Sequence, residues 1–175
     1  VAFHELNNGR VRLMRRGMPC NFPALRDPAA PLEPMVVEAA LGEGFTLYFG
    51  HLERHDRILA AFARRLRAEL RAKVQLGAFF TPRLGDGFAP HVDIAEQLIV
   101  QIEGTKHWKI WEPKTHLPSS ALAVPALPPD TPPCIALDLR PGQLLCIPRG
   151  WHHCAVAGDT DSLHITVTVE KPTTA

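Results

Sequence analysis

The sequence predicts a mainly β protein, a sandwich, jelly roll or barrel, preceded by a flank that carries one long helix. Three observations lead there. From Val74 onward, short apolar runs (VQLGAFFTP, QLIVQIEGTKHWKIW, IALDL, QLLCIP and SLHITVTV) are separated by turn residues, the spacing of all-β architectures. No helical pattern alternates with those runs, so nothing suggests a parallel α/β sheet. Ahead of them, residues 52–73 contain neither Gly nor Pro and are rich in strong helix formers.

Taken in order, the elements follow from local composition. The 17 prolines are roughly double the average share of ~5%, and they cluster in 19–34 and 113–141, which reads as loop or edge segments. In LERHDRILAAFARRLRAELRAK, Ile58, Phe62, Leu66 and Leu70 recur at i, i+4 spacing, predicting a helix over about 52–73 with an arginine-rich solvated face. The strand region is interrupted at Gly104, between two short runs. This divides the chain into an N-terminal flank, 1–73, packed on a barrel of 74–170, together effectively one domain.

Composition excludes several function classes. A chain of 175 residues, 46% hydrophobic and 21% charged, has one domain's length and core. Its 19 basic and 18 acidic residues leave a formal charge of +1, too little for sequence-independent binding of nucleic acid. No apolar run is long enough to span a bilayer, and no charged-then-apolar leader opens the sequence, so a cytoplasmic protein without membrane contact is expected. Cys20, Cys134, Cys146 and Cys154 form no CxxC pair and are expected to be reduced thiols.

Nine histidines bear on chemistry, and His4, His51, His55 and His116 stand in no suggestive context. PHVD differs. Residues two apart in an extended strand share a side, so His91 and Asp93 can offer an imidazole and a carboxylate to one ion. PRGWHH supplies two candidates for a third ligand, His152 and His153. Two histidines and one carboxylate on one face of a metal leave open positions, as in non-haem Fe(II) oxygenases, whereas a structural zinc would close its shell with a fourth ligand. In TKHWKIW, alternation puts Lys106 on the same face as Trp108 and Ile110. Such a lysine is either a strand-end residue whose ammonium reaches water or an anchor for a buried anion. In the last strand Ser162, His164, Thr166 and Thr168 form a polar face, which suits either solvent or a cavity wall.

GFAPHVD, LIVQIEGTKHW, PGQLLCIPRGWHH and SLHITVTV, in that order, resemble the JmjC-type 2-oxoglutarate oxygenases, and among them the cupin-like ribosomal oxygenase group. The resemblance covers about 74–169, with weaker similarity in VRLMRRG and GEGFTLYFG. It implies a double-stranded β-helix, a jelly-roll barrel of the cupin type, holding Fe(II) and the co-substrate 2-oxoglutarate. Carried over, the metal ligands fall on His91, Asp93 and His153, the last because the distal histidine follows the glycine of the Pro-Arg-Gly turn by three positions. The basic residue for the remote carboxylate of 2-oxoglutarate falls on Lys106, and an assisting hydroxyl on Thr168. Relatives often have Asn where this chain has Gly77, fourteen positions before His91.

The activity so implied is hydroxylation of an amino-acid side chain in a protein or peptide, with release of succinate and CO2. Competing readings are a small-molecule hydroxylase of the same fold, a metal cupin that does not use 2-oxoglutarate, and a silent barrel that binds a peptide. A buried Lys106 disfavours the second, because an ammonium away from water requires a counter-charge. The intact His, Asp and His set disfavours the third. Trp108 and Phe79 are candidate pocket walls.

Overall fold

The computed structural model describes residues 4–6, 11–15, 33–113, 126–128 and 130–171; Cys20, His116, nearly all of 19–34 and, in 113–141, residues 114–125 and 129 lie outside them. In chain order the elements are β1 (His4–Leu6), β2 (Val11–Met14), α1 (Pro34–Gly42), β3 (Thr46–Gly50), a 3-10 turn (Leu52–Arg54) and α2 (Arg57–Leu70). There follow β4 (Lys73–Thr81), β5 (Glu96–Glu103), β6 (Lys106–Trp111), β7 (Ile135–Leu139), β8 (Leu144–Ile147), β9 (His152–Ala157) and β10 (Ser162–Glu170).

The strands form a seven-stranded sheet, β1-β2-β3-β4-β10-β5-β8, and a three-stranded sheet, β7-β6-β9. Every paired neighbour whose register is defined runs antiparallel. The mainly β expectation holds, and the flank contributes more than a helix: β1, β2 and β3 extend the large sheet beyond β4. Gly104 carries the chain from β5 in one sheet to β6 in the other. Its φ is +63°, and a Cβ there would lie 1.9 Å from the Asp161 carbonyl oxygen, so only glycine fits.

Period-2 alternation gives the large sheet two different faces. Ile99 and Ile147 from this sheet pack with Trp108, Ile110, Leu139 and Ala155 from the small one, forming the core between them. On the outer face Val74, Leu76, Val167 and Val169 pack under α2, while Val11, Leu13 and Phe45 pack with Ala40 of α1. The intervening inward positions on β10, His164, Thr166 and Thr168, line a cavity rather than solvent.

The helix is shorter than 52–73 and is rotated from its expected stripe. His51 takes a left-handed conformation, a 3-10 turn follows, and Asp56 caps α2 by accepting a hydrogen bond from Leu59 N at 2.8 Å. Arg71, also left-handed, ends it, and Lys73 already belongs to β4. The packed residues are Leu59, Ala63 and Leu66, whereas Ile58 is 79% exposed and Phe62 45%. Of the expected stripe Leu66 packs, while Ile58, Phe62 and Leu70 are exposed, because the neighbouring row through Leu59 and Ala63 is apolar as well. Leu59→Ala is therefore expected to cost about 1–2 kcal/mol and Ile58→Ala no more than about 0.5, read by urea unfolding. Helix α1 had no sequence expectation; its proline at the N-terminus was the available signal.

Candidate active site

Backbone pairing, not one continuous strand, brings the site together. His91 and Asp93 lie in the segment before β5, outside any strand, contrary to the extended reading of PHVD. His91 forms a two-way bridge with His153, N to O at 3.2 Å and O to N at 2.9 Å. The Asp93 carbonyl accepts from Gly150 N at 2.8 Å, in the Pro-Arg-Gly turn that leads into β9. Both ends of His-x-Asp are thus stitched to the turn and strand that carry His153.

Among the described residues, His91, Asp93 and His153 each bring one potential ligand atom to within 4.8 Å of the others. The His91 and His153 rings have centroids 4.4 Å apart, and His153 Nε2 is 3.5 Å from Asp93 Oδ2. Each Nδ1 lies 3.0 Å from a backbone carbonyl, of Ala89 for His91 and of Trp151 for His153. A carbonyl only accepts, so Nδ1 carries the proton and the Nε2 lone pair is available, the orientation that metal-ligating histidines use. Burial, and then the neighbouring His153, lower the His91 pKa to about 4, which leaves its imidazole neutral. Burial would raise the Asp93 carboxyl, but the neighbouring His153 and then His91 outweigh it and hold the group below its ordinary value. Two imidazoles and a carboxylate fit a divalent ion. His152 is buried as well but is not part of this group.

The three donors open on a cavity of ≈ 430 Å³, whose walls include Phe79, Trp108 and Lys106. Lys106 is 3% exposed, so its side chain does not reach water. Its Nζ donates to Thr81 Oγ1 at 2.8 Å and lies 3.4 Å from His164 Nδ1. Burial lowers its pKa to about 7, and no carboxylate is among these partners. His164 is held well below its ordinary pKa by burial and then by Lys106, so it faces the ammonium as a neutral acceptor. An ammonium with two neutral partners has one donor left for an anion in the cavity. Trp108, which also lines the cavity, has a buried indole N–H without a partner among the described residues.

Thr168 lies elsewhere in this cavity. It donates to Gln97 Oε1 at 2.9 Å and stands four residues along β10 from His164. The hydroxyl beside Lys106 is that of Thr81, which the sequence reading did not select. At Gly77, a Cβ would lie 2.4 Å from Tyr48 Cε2. The ring of Tyr48 therefore occupies the space that a side chain at 77 would need. Of the remaining histidines, His51 pairs with Glu53 and His55 packs on Phe49, away from this group.

Residues 49–175 match the JmjC domain family, and the chain belongs to it. A Drosophila persimilis protein named bifunctional lysine-specific demethylase and histidyl-hydroxylase NO66 is 39% identical over 95 residues, 54% of this chain and 14% of that protein. Chicken (Gallus gallus) ribosomal oxygenase 1 is 40% identical over 93 residues, 51% of this chain and 16% of that protein. The chain thus spans a small part of these curated relatives. Among solved structures, Escherichia coli YcfD superimposes with a TM-score of 0.64 at 26% identity, covering 83% of this chain and 38% of that one. YcfD in complex with cobalt and succinic acid gives 0.60 at 23% identity, covering 85% and 36%, a likeness of fold.

Proposed function

We propose that this chain is the catalytic part of an Fe(II)- and 2-oxoglutarate-dependent oxygenase that hydroxylates an amino-acid side chain in a protein or peptide. The observation that carries the reading is one cavity lined by both the His91, Asp93 and His153 donor set and the buried Lys106 ammonium. On this reading the two sheets are the halves of a double-stranded β-helix spanning 74–170, and 1–73 is a flank built onto it. Among the described residues no helix is long and apolar enough to cross a membrane. The proposed location is the cytoplasm.

His91, Asp93 and His153 would hold the metal, and Lys106 the remote carboxylate of 2-oxoglutarate, with Thr81 beside it. Bound together, Fe(II) and 2-oxoglutarate supply the oxidising chemistry: dioxygen delivers one oxygen atom to succinate, with loss of CO2, and one to a substrate C–H bond. The chain's own part is geometric and electrostatic. The Ala89 and Trp151 carbonyls fix the two imidazole tautomers, Lys106 neutralises an anion that would otherwise be costly to bury, and Phe79 and Trp108 limit water.

The relatives' names cite a lysine demethylase, a histidyl hydroxylase and a ribosomal oxygenase, which supports a polypeptide substrate here. Metal analysis of purified chain, followed by succinate measurement after Fe(II) and 2-oxoglutarate addition, tests the reading. Metal bound at one equivalent with Fe(II)-dependent succinate is expected; a metal-binding protein that leaves 2-oxoglutarate intact would return it to the cupins that do not use this co-substrate.

A further inference from the structure

A second cavity, of ≈ 570 Å³, opens where the 3-10 turn, the end of α2 and the first residues of β4 meet, and its wall carries Arg54, Arg67, Arg71 and Lys73. Two carboxylates share that wall, and both already have partners. Glu53 is buried; its Oε2 accepts from Leu76 N at 3.0 Å, and its Oε1 lies 3.3 Å from His51 Nδ1 and 3.6 Å from Arg67 Nη2. Glu170 lies 3.3 Å from Lys73 Nζ. Arg67 is anchored along one edge, where Nε and Nη2 donate to the Val74 carbonyl at 3.1 and 2.6 Å. This fixes the guanidinium and leaves its Nη1 donors unengaged among the described residues.

From this cavity a row of arginines continues along α2. Arg57, Arg64 and Arg71 stand seven positions apart, so they lie on one flank of the helix at intervals of about 10 Å, with Arg67 beside them. The other positions on that flank are Ala60, Ala61 and Ala68, and no acidic side chain interrupts it. Arg54, Arg57, Arg64 and Arg71 are exposed and have no acidic partner among the described residues. The same helix does pair its charges elsewhere: Arg65, on a different flank, meets Glu69 at 2.7 Å. Like charges one turn apart, as at Arg64 and Arg67, cost helix stability. Arg71 adds a backbone cost, with a φ of +49° at a helix end where glycine is usual.

The overall charge of +1, which spoke against nucleic acid, conceals this concentration. Residues 54–73 hold seven basic and two acidic side chains in a chain that has 19 and 18, and six of the seven are arginine.

We propose that this cavity and the arginine flank of α2 form a phosphate-binding surface that takes a nucleic-acid strand by its backbone. The geometry that carries this is an edge-anchored guanidinium, Arg67, in a cavity from which unpaired arginines continue at regular intervals along one helix flank. A single small anion would be served by the cavity alone, whereas a row suits a ligand whose charge repeats. Guanidinium forks match phosphate oxygens bidentately, and the alanines between them let a backbone come close. Contacts of this kind position a strand without reading its bases.

The proposal is independent of the metal and of 2-oxoglutarate, and its test uses neither. The full chain is titrated into a fluorescent oligouridylate of about twelve nucleotides at about 50 mM salt, and binding is read by anisotropy. Micromolar binding is expected, with an affinity that falls as salt is added, because each phosphate contact releases counterions. Arg64→Gln and Arg65→Gln remove the same charge from adjacent positions on different flanks, so the change in overall charge cancels between them. Arg64→Gln is expected to weaken binding about three- to tenfold and to flatten the salt slope by about one contact, with Arg65→Gln within about twofold of the unaltered chain. Arg71→Gly is expected to weaken binding too, while the melting temperature by circular dichroism is held or raised, because a left-handed backbone suits glycine. No binding of the oligouridylate, equal effects of Arg64→Gln and Arg65→Gln, or undiminished binding by Arg71→Gly overturns the proposal. So does an oligoglutamate of the same charge that binds as tightly, since the surface would then serve acidic polypeptides and not phosphates.

Discussion

Asp93→Ala is expected to abolish succinate formation while the chain stays folded. Asp93 supplies the one carboxylate of the three-donor set, and its backbone tie, the carbonyl that accepts from Gly150, does not depend on the side chain. Loss of one ligand out of three also weakens the hold on the metal itself, so bound metal after dialysis should fall together with turnover. His153→Ala is expected to behave the same way. His152→Ala removes a buried ring outside the donor set and should be milder. Circular dichroism alongside the succinate and metal assays separates ligand loss from unfolding. An inactive His152→Ala with an active His153→Ala would move the third ligand to the neighbouring position.

Lys106→Ala is expected to weaken 2-oxoglutarate binding far more than metal binding. Truncating one partner of a buried charge pair costs about 2–5 kcal/mol, a loss of affinity of roughly thirtyfold to several thousandfold. Titration of 2-oxoglutarate into the metal-loaded variant measures it; an unchanged affinity would remove Lys106 from the site. The same lysine gives the affinity a pH dependence whose sign is fixed. Burial lowers its pKa in the free protein to about 7, and a bound carboxylate favours the charged form, raising it again. Below about pH 7 the ammonium is already present and affinity is flat with respect to this group. Above it, binding must take up a proton, and affinity should fall by up to about tenfold per pH unit. Lys106→Ala should lose that slope, which calorimetry in two buffers of different ionisation enthalpy would show as lost proton uptake.

The parts of this site legible in the sequence are those fixed by local spacing. Alternation in TKHWKIW put Lys106 on one face with Trp108 and Ile110 without saying whether that face met water, and the structure turns it inward. His91, Asp93 and His153 were recognisable from short motifs, although they converge through a bridge between distant segments and not through an extended strand. Long-range register was not legible. Arg12, Tyr48, Phe79 and His164 come from four strands, and nothing in any one of them announces a shared row. For the same reason Thr81, the hydroxyl beside Lys106, was passed over for Thr168, which points into the cavity four residues further along β10. The polar face of β10 was visible, but whether it met water or a cavity depended on what lay opposite. In α2 two adjacent rows were both apolar, so periodicity alone chose Ile58 and Phe62 over Leu59 and Ala63.

The most direct measurement is to run the Fe(II)-loaded chain with 2-oxoglutarate and a degenerate peptide pool under isotopically heavy dioxygen, and to weigh both products. One heavy oxygen atom in succinate and one in the oxidised peptide is expected, because the two atoms of a single dioxygen molecule are divided between co-substrate and substrate. Succinate that carries no heavy oxygen, or 2-oxoglutarate that survives while the metal remains bound, would contradict the assignment of this cavity as a 2-oxoglutarate-dependent oxygenase site.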